Sequence, residues 1–351
     1  MLAYSLFFVK PSLCPLLPMP KDPLAINKDD PNIDLTLRPT EWDDYIGQEK
    51  IKDNLKTILG AAKKRNEAAD HLLFSGPAGL GKTTLAYLVA RELGGVIKTT
   101  SGPALEKAGD LAAVLTNLTP GEILFIDEAH RVNPMIEEVL YPAMEARKLH
   151  LVVGKGPSAR TLTLDLPPFT LIAATTRENL LSQPLRSRFG ATLRLNYYTP
   201  EDIKRILLRS AELLHVRAEP AAIEILAGAS RGTPRVANRL LRRARDFAEM
   251  HGESVIDVSA ALSTLEMLEI DSVGLEPQDR RLLMAIIEKF KGGPVGINTI
   301  AAALAEDRGV IEDIYEPYLM TLGFLQRSSA GRIVLPAAYR HLKIKGHDEL
   351  L

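Results

Sequence analysis

Residues 76–84, "GPAGLGKTT", carry the clearest chemistry in the chain. They fit G-x-x-x-x-G-K-T between an apolar run, "HLLFSG" (71–76), and a helical pattern, "KTTLAYLVAREL". In that strand-to-helix setting, backbone N–H groups and a helix N-terminus face an anion. Gly76, Gly79 and Gly81 let the backbone wrap closely. Lys82 is expected to reach the β and γ phosphates of a nucleotide, and the Thr83 hydroxyl to ligate Mg²⁺. A second apolar run, "EILFIDEAH" (122–130), ends in an acidic pair. Asp127 is read as a partner of Mg²⁺ and Glu128 as the group that polarises an attacking water. The pair favours hydrolysis over phosphoryl transfer to a small molecule. A third run, "FTLIAATTR" (169–177), ends at Thr175 and Thr176, where a hydroxyl would sense the γ-phosphate or orient the water.

Two arginine-rich stretches follow. In "PLRSRFG" (184–190), Arg186 and Arg188 admit three readings: solvated charges, internal ion-pair partners, or side chains held towards a phosphate that this chain does not bind itself. "RGTPRVANRLLRRAR" (231–245) holds six arginines. Arg235 begins a helix after Thr233 and Pro234, where it would fold back over the nucleotide. Arg239, Arg242, Arg243 and Arg245 read as a solvated or interface face.

These residues need a scaffold. The three apolar runs suit buried strands of a parallel sheet covered by helices on both faces. "QEKIKDNLKTILGAA" (48–62) has helical spacing at Ile51, Leu55, Ile58 and Leu59. "LHLVVGKGPSARTLTLDL" (149–166) predicts a β-hairpin turning at Gly154 to Ser158. After Tyr198 the strand signals stop, and Thr199, Pro200 and Glu201 open a helical region reaching about residue 270. A break at "DSVGLEP" (271–277) leads to three short helices and two strand-like runs around a Ser-Ser-Ala-Gly turn. The expected division is an N-terminal extension (1–34), an α/β unit (35–197), a helical lid (198–271) and a third unit (272–351).

Bulk charge excludes little. With 43 Lys and Arg against 44 Asp and Glu, any nucleic-acid site must be local. The third unit holds ten basic and ten acidic residues, so its net charge does not argue for DNA. One cysteine, Cys14, cannot form an internal disulfide, and a cytoplasmic location is expected. The first nineteen residues are apolar, but Lys10, Pro11, Pro15 and Pro18 interrupt them short of the ~18 to 20 that a span requires. A poorly ordered tail is expected there, with a signal or anchor as the alternative.

The phosphate loop, "FIDEAH", "ATTR", "PLRSRFG" and "GTPR" together resemble the motif set of AAA+ ATPases, in that order. "LRPTEWDDYIGQ" (37–48), "VGKGPSARTLTLDLPPFTLIAATTR" (153–177) and "GGPVGINTIAAALAEDRGVIEDIYEPYLMTLGFLQR" (292–327) are similar to the RuvB family, the bacterial motors that drive Holliday-junction branch migration with RuvA. The likeness runs from residue 37 to about 342, and the third stretch lies outside the general ATPase set. It implies an α/β AAA+ P-loop ATPase domain with a parallel sheet, a small all-α lid and a C-terminal winged-helix domain. It further implies ATP and Mg²⁺ as cofactors and a homo-oligomeric ring, a hexamer, acting on duplex DNA of Holliday junctions. RuvA would bind the 149–166 hairpin, RuvC would join for resolution, and no membrane is involved.

By this resemblance Leu37 and Arg38 border the adenine. Gly79, Gly81, Lys82, Thr83 and Thr84 contact phosphates, and Tyr198 and Arg235 close over the nucleotide from the lid side. Thr176 matches the first sensor and Arg235 the second. Glu145, Ala146 and Arg147 match nucleotide-proximal positions, for which the residues themselves give no independent reason. Arg188 matches the arginine presented to the neighbouring subunit's γ-phosphate, and Arg186 reads as a local partner. Arg327 and Arg332 flank "SSAG" and would straddle a DNA backbone. The turn lacks the basic residue usual near Ala330, which implies fewer phosphate contacts. The competing class is an AAA+ clamp loader or protein remodeller. A helical collar would mark the former and an aromatic-hydrophobic pore loop the latter.

Overall fold

The computed structural model describes residues 36–153 and 160–344. The tail expected over 1–34 and the hairpin turn at 154–158 lie outside the described residues. The described residues fall in two units, Thr36–Arg38 in the first and those from Pro39 onward in the second.

The larger unit is organised around five parallel strands: β1 (Leu72–Ser75), β2 (Ile97–Ser101), β3 (Ile123–Asp127), β6 (Thr170–Thr175) and β7 (Ala191–Arg194), in the order β2-β3-β6-β1-β7. Alternation along each strand feeds two cores. Leu72, Phe74, Ile123, Phe125, Ile172 and Ala174 join one, while Leu73, Leu124, Ile126, Leu171 and Ala173 join the other. The continuous apolar runs in the sequence arise from this two-sided burial. The expected hairpin forms from β4 (Lys148–Val153) and β5 (Arg160–Asp165), with Leu149 opposite Leu164 and Leu151 opposite Leu162.

The lid helices Pro200–Leu213, Pro220–Gly228, Pro234–Met250 and Val258–Met267 share the first core, so sheet face and lid are continuous. Thr199 caps the first of them by accepting a hydrogen bond from Asp202 N at 3.2 Å. The expectation that strand structure stops after Tyr198 is corrected: β8 (Arg217–Ala218) and β9 (Val255–Ile256) pair in parallel inside the lid. Two residues each are too few for a periodicity signal.

The carboxy-terminal part has its own core. It contains helices Pro277–Phe290 and Ile297–Leu304, a helical stretch Arg308–Thr321 with one π-helical turn at Ile311–Tyr315, and the antiparallel ribbon β10 (Leu325–Ser328) and β11 (Gly331–Val334). Among the described residues no helix is long and apolar enough to cross a membrane.

Candidate active site

The phosphate loop leaves β1 at Gly76 and ends where helix Lys82–Leu93 begins. Glycine is required at Gly76, which sits at φ 137, because a Cβ there would stand 2.5 Å from the Leu195 carbonyl oxygen. At Gly79 a Cβ would come within 3.3 Å of Arg235 Cβ, so the lid rests directly on the loop. Lys82 is buried, and its Nζ donates to the carbonyls of Gly76 at 2.7 Å and Pro77 at 2.8 Å. Burial pulls its pKa down to about 8; Asp127 opposes that shift and the Arg235 charge adds to it. Two cations and one carboxylate therefore converge on the loop.

Thr83 Oγ1 donates to Asp127 Oδ2 at 3.1 Å, joining the helix start to the end of β3. Asp127 Oδ1 accepts from Glu128 N at 2.8 Å. Glu128 takes a left-handed backbone, φ 48, an uncommon conformation for a non-glycine residue that turns the chain sharply away from the strand. Gly102 makes room for that turn, since a Cβ there would meet Glu128 O at 2.4 Å. The Glu128 carboxylate is half exposed and pairs with Arg131 at 3.1 Å. Thr84 lies partly buried in the helix's first turn.

Of the two strand-end threonines, Thr175 is buried. Its hydroxyl meets His130 Nδ1 at 3.1 Å and accepts from Arg177 N at 3.0 Å. Thr176, the sensor position by resemblance, is exposed. Burial lowers the His130 pKa, and the nearby Glu128 charge opposes that.

The loop is gripped from both ends of the ATPase sequence. Tyr198 Oη donates to Leu80 O at 3.2 Å, and Tyr45 Oη reaches the same carbonyl at 3.5 Å. Desolvation pushes the Tyr198 phenol up to about 12 and raises that of Tyr45 well above its usual value. Tyr198 N also donates to Gly232 O at 2.9 Å, and Arg235 N to Gly79 O at 3.5 Å, so the lid and the loop share backbone contacts. Tyr45 went unrecognised in the sequence; a lone aromatic in "DDYIGQ" carries no local signal for a residue 35 positions away.

Arg188 is elsewhere. It precedes β7 at the amino ends of the strands, where Gly190 N donates to His71 O at 2.9 Å just before β1 begins. The phosphate loop follows the carboxyl end of β1, about 13 Å further on for four residues. The Arg188 guanidinium lies 4.5 Å above the Tyr141 ring, donates to Pro184 O at 2.7 Å and pairs with Glu145 at 3.1 Å. Glu145, Ala146 and Arg147 close helix Pro134–Ala146 at this same end, so the chain does not bring them to its own phosphate loop. Leu37 and Arg38 fall in the separate unit of residues 1–38.

At the wing, Arg327 and Arg332 stand directly opposite in register. Like charges so placed repel, and Glu316, fully buried, lies between them. Arg327 Nε donates to its Oε2 at 2.6 Å and Arg332 Nε to its Oε1 at 2.8 Å. Arg332 also binds Glu312 at 3.0 Å. Both wing arginines thus reach back to carboxylates of the preceding helix.

Comparison with known proteins identifies the parts of the chain in order. Residues 37–195 match the family model described as the Holliday junction DNA helicase RuvB P-loop domain, 198–271 the RuvB AAA lid domain, and 272–343 the RuvB C-terminal winged helix domain. A structure of Thermotoga maritima RuvB, described as a Holliday junction branch migration motor, is 48% identical with a TM-score of 0.82, covering 89% of this chain and 100% of that one. A proline-to-glycine variant of the same protein is 47% identical with a TM-score of 0.83, covering 88% and 100%. The chain, with its phosphate loop, lid and wing in this order, belongs to the RuvB family.

Proposed function

We propose that this protein is an ATP hydrolase that drives Holliday-junction branch migration by pulling duplex DNA. The observation that carries the ring mechanism is the placement of Lys82 and Arg188 at opposite ends of one sheet. A chain built this way has phosphate chemistry at one end and a guanidinium suited to phosphate at the other, so the neighbouring copy completes each site.

Gly79, Gly81, Lys82, Thr83 and Thr84 hold the phosphates, and Tyr198 and Arg235 close over the remainder of ATP. Thr83 and Asp127 offer adjacent hard oxygen donors that fit Mg²⁺, which keeps several waters and takes few protein ligands. When bound it would neutralise phosphate charge. Glu128 polarises the attacking water and Thr176 orients it. Arg188, with Glu145, Ala146 and Arg147 beside it, faces the nucleotide of the next subunit in a ring of six. Arg327 and Arg332 contact the duplex backbone. RuvA docks on the 149–166 hairpin, whose Leu162 is 48% exposed, and RuvC joins the assembly for resolution in the cytoplasm.

Subunit mixing tests the shared site. Arg188→Ala should reduce turnover by about 10³ to 10⁵, and Lys82→Ala should abolish nucleotide binding. Combining the two inactive proteins should partly restore ATP hydrolysis, because some interfaces then pair an intact loop with an intact arginine. No recovery at any ratio would reject action in trans. Migration of a four-way junction with ATP and the cognate RuvA tests the overall activity.

A further inference from the structure

One helical stretch touches both ends of the motor's work. Arg177, next to the proposed sensor Thr176, directs Nε and Nη2 onto the Asp313 carboxylate and Nη2 towards Gly309 O at 3.4 Å. Its own backbone N–H is fixed by Thr175, which holds His130 two residues beyond Glu128. Asp313 lies in the π-helical turn of Arg308–Thr321. The residue before it, Glu312, binds Arg332, and one turn on, Glu316 binds both wing arginines. The far end of the stretch is also tied to the lid. Tyr318 lies 4.6 Å beneath the guanidinium of Arg231, which stands four residues before Arg235 and is bidentate to buried Asp279 at 3.0 and 3.3 Å.

We propose that the stretch Arg308–Thr321 couples the nucleotide state to the wing's hold on DNA, with Asp313 as the positioning residue that receives the change through Arg177. This rests on the reading of Arg327 and Arg332 as duplex contacts. A helix transmits displacement because neighbouring side chains share one rigid backbone, and a π turn is a place where such a backbone can change register. Movement of the sensor segment shifts Asp313, and with it Glu312 and Glu316, the acceptors that compete with DNA phosphates for the wing guanidinium groups. Charge-assisted bidentate pairs give this link both strength and direction.

The test uses the full-length protein, a fluorescent duplex, and either ATPγS or ADP. Wild-type duplex affinity should differ between the two nucleotides by about 5- to 150-fold, the usual size of such couplings. Asp313→Asn should bring that ratio close to unity while leaving affinity with ADP and the melting temperature near wild type. Exchanging the charges, Arg177→Asp with Asp313→Arg, should recover part of the ratio. The proposal is overturned by a wild-type ratio of unity, by an unchanged ratio in Asp313→Asn, or by equal weakening with both nucleotides, which marks a merely structural contact. A separate arm measures Arg327→Ala/Arg332→Ala. Wild-type duplex affinity in that variant rejects the wing as the contact, and with it the wing end of the coupling, whatever Asp313→Asn does.

Discussion

At the phosphate loop the Lys82 ammonium is held by two neutral carbonyls, whereas at the wing the Arg327 and Arg332 guanidinium groups are held by carboxylates. A buried cation on neutral acceptors is poorly solvated and its charge is disfavoured, so an arriving phosphate relieves it. A cation on a buried carboxylate is already compensated, and a DNA phosphate has to compete for it. The first region is poised for its anion; the second, in the proposed coupling, answers to whatever moves Glu312 and Glu316.

Carboxylate substitutions test this contrast most sharply. Glu128→Gln should lower hydrolysis by about 10² to 10⁴ with nucleotide affinity and melting temperature retained, since its pairing with Arg131 is exposed and worth little. Normal turnover would remove the water-polarising role. Glu316→Ala should do the reverse, destabilising the carboxy-terminal part by about 3 to 5 kcal/mol because two guanidinium groups lose a buried partner. Calorimetry reads this directly, and an unshifted unfolding transition would show that the wing arginines stand without it. The smallest effect concerns pH. Lys82 has its pKa lowered to about 8, and bound phosphate favours the protonated form. ATP affinity should therefore be fully present below about 8 and decline above it, by at most about tenfold per pH unit for one linked proton. Affinity that is flat or rising between pH 7 and 9 would mean that the ammonium does not carry phosphate binding.

What could be read in the sequence follows the same divide. Gly76, Gly79, Lys82 and Asp127 were legible because backbone geometry fixes their spacing, and the two-sided burial of β1, β3 and β6 writes itself as apolar runs. The acids of "GVIEDIYEP" entered as net charge and as part of a family-like stretch, with no role for any one of them. Nothing local connects Asp313 to Arg177, 136 positions away, or tells which of several glutamates is buried under the wing. Gly102 supports Glu128 through the fold alone. The preference for Thr175 over Thr176 in the His130 contact depends on strand twist and neighbour placement, which two identical adjacent residues cannot encode.

The contacts of Leu80 and Gly79 carry a consequence for how the protein is made. The loop at 76–81 takes its support from Tyr45 on one side and from Tyr198, Thr233 and Arg235 on the other. During synthesis the Walker-type loop emerges early, yet its nucleotide pocket is incomplete until residue 235 has left the ribosome. The winged-helix part, with a core of its own, follows later as a separate folding event.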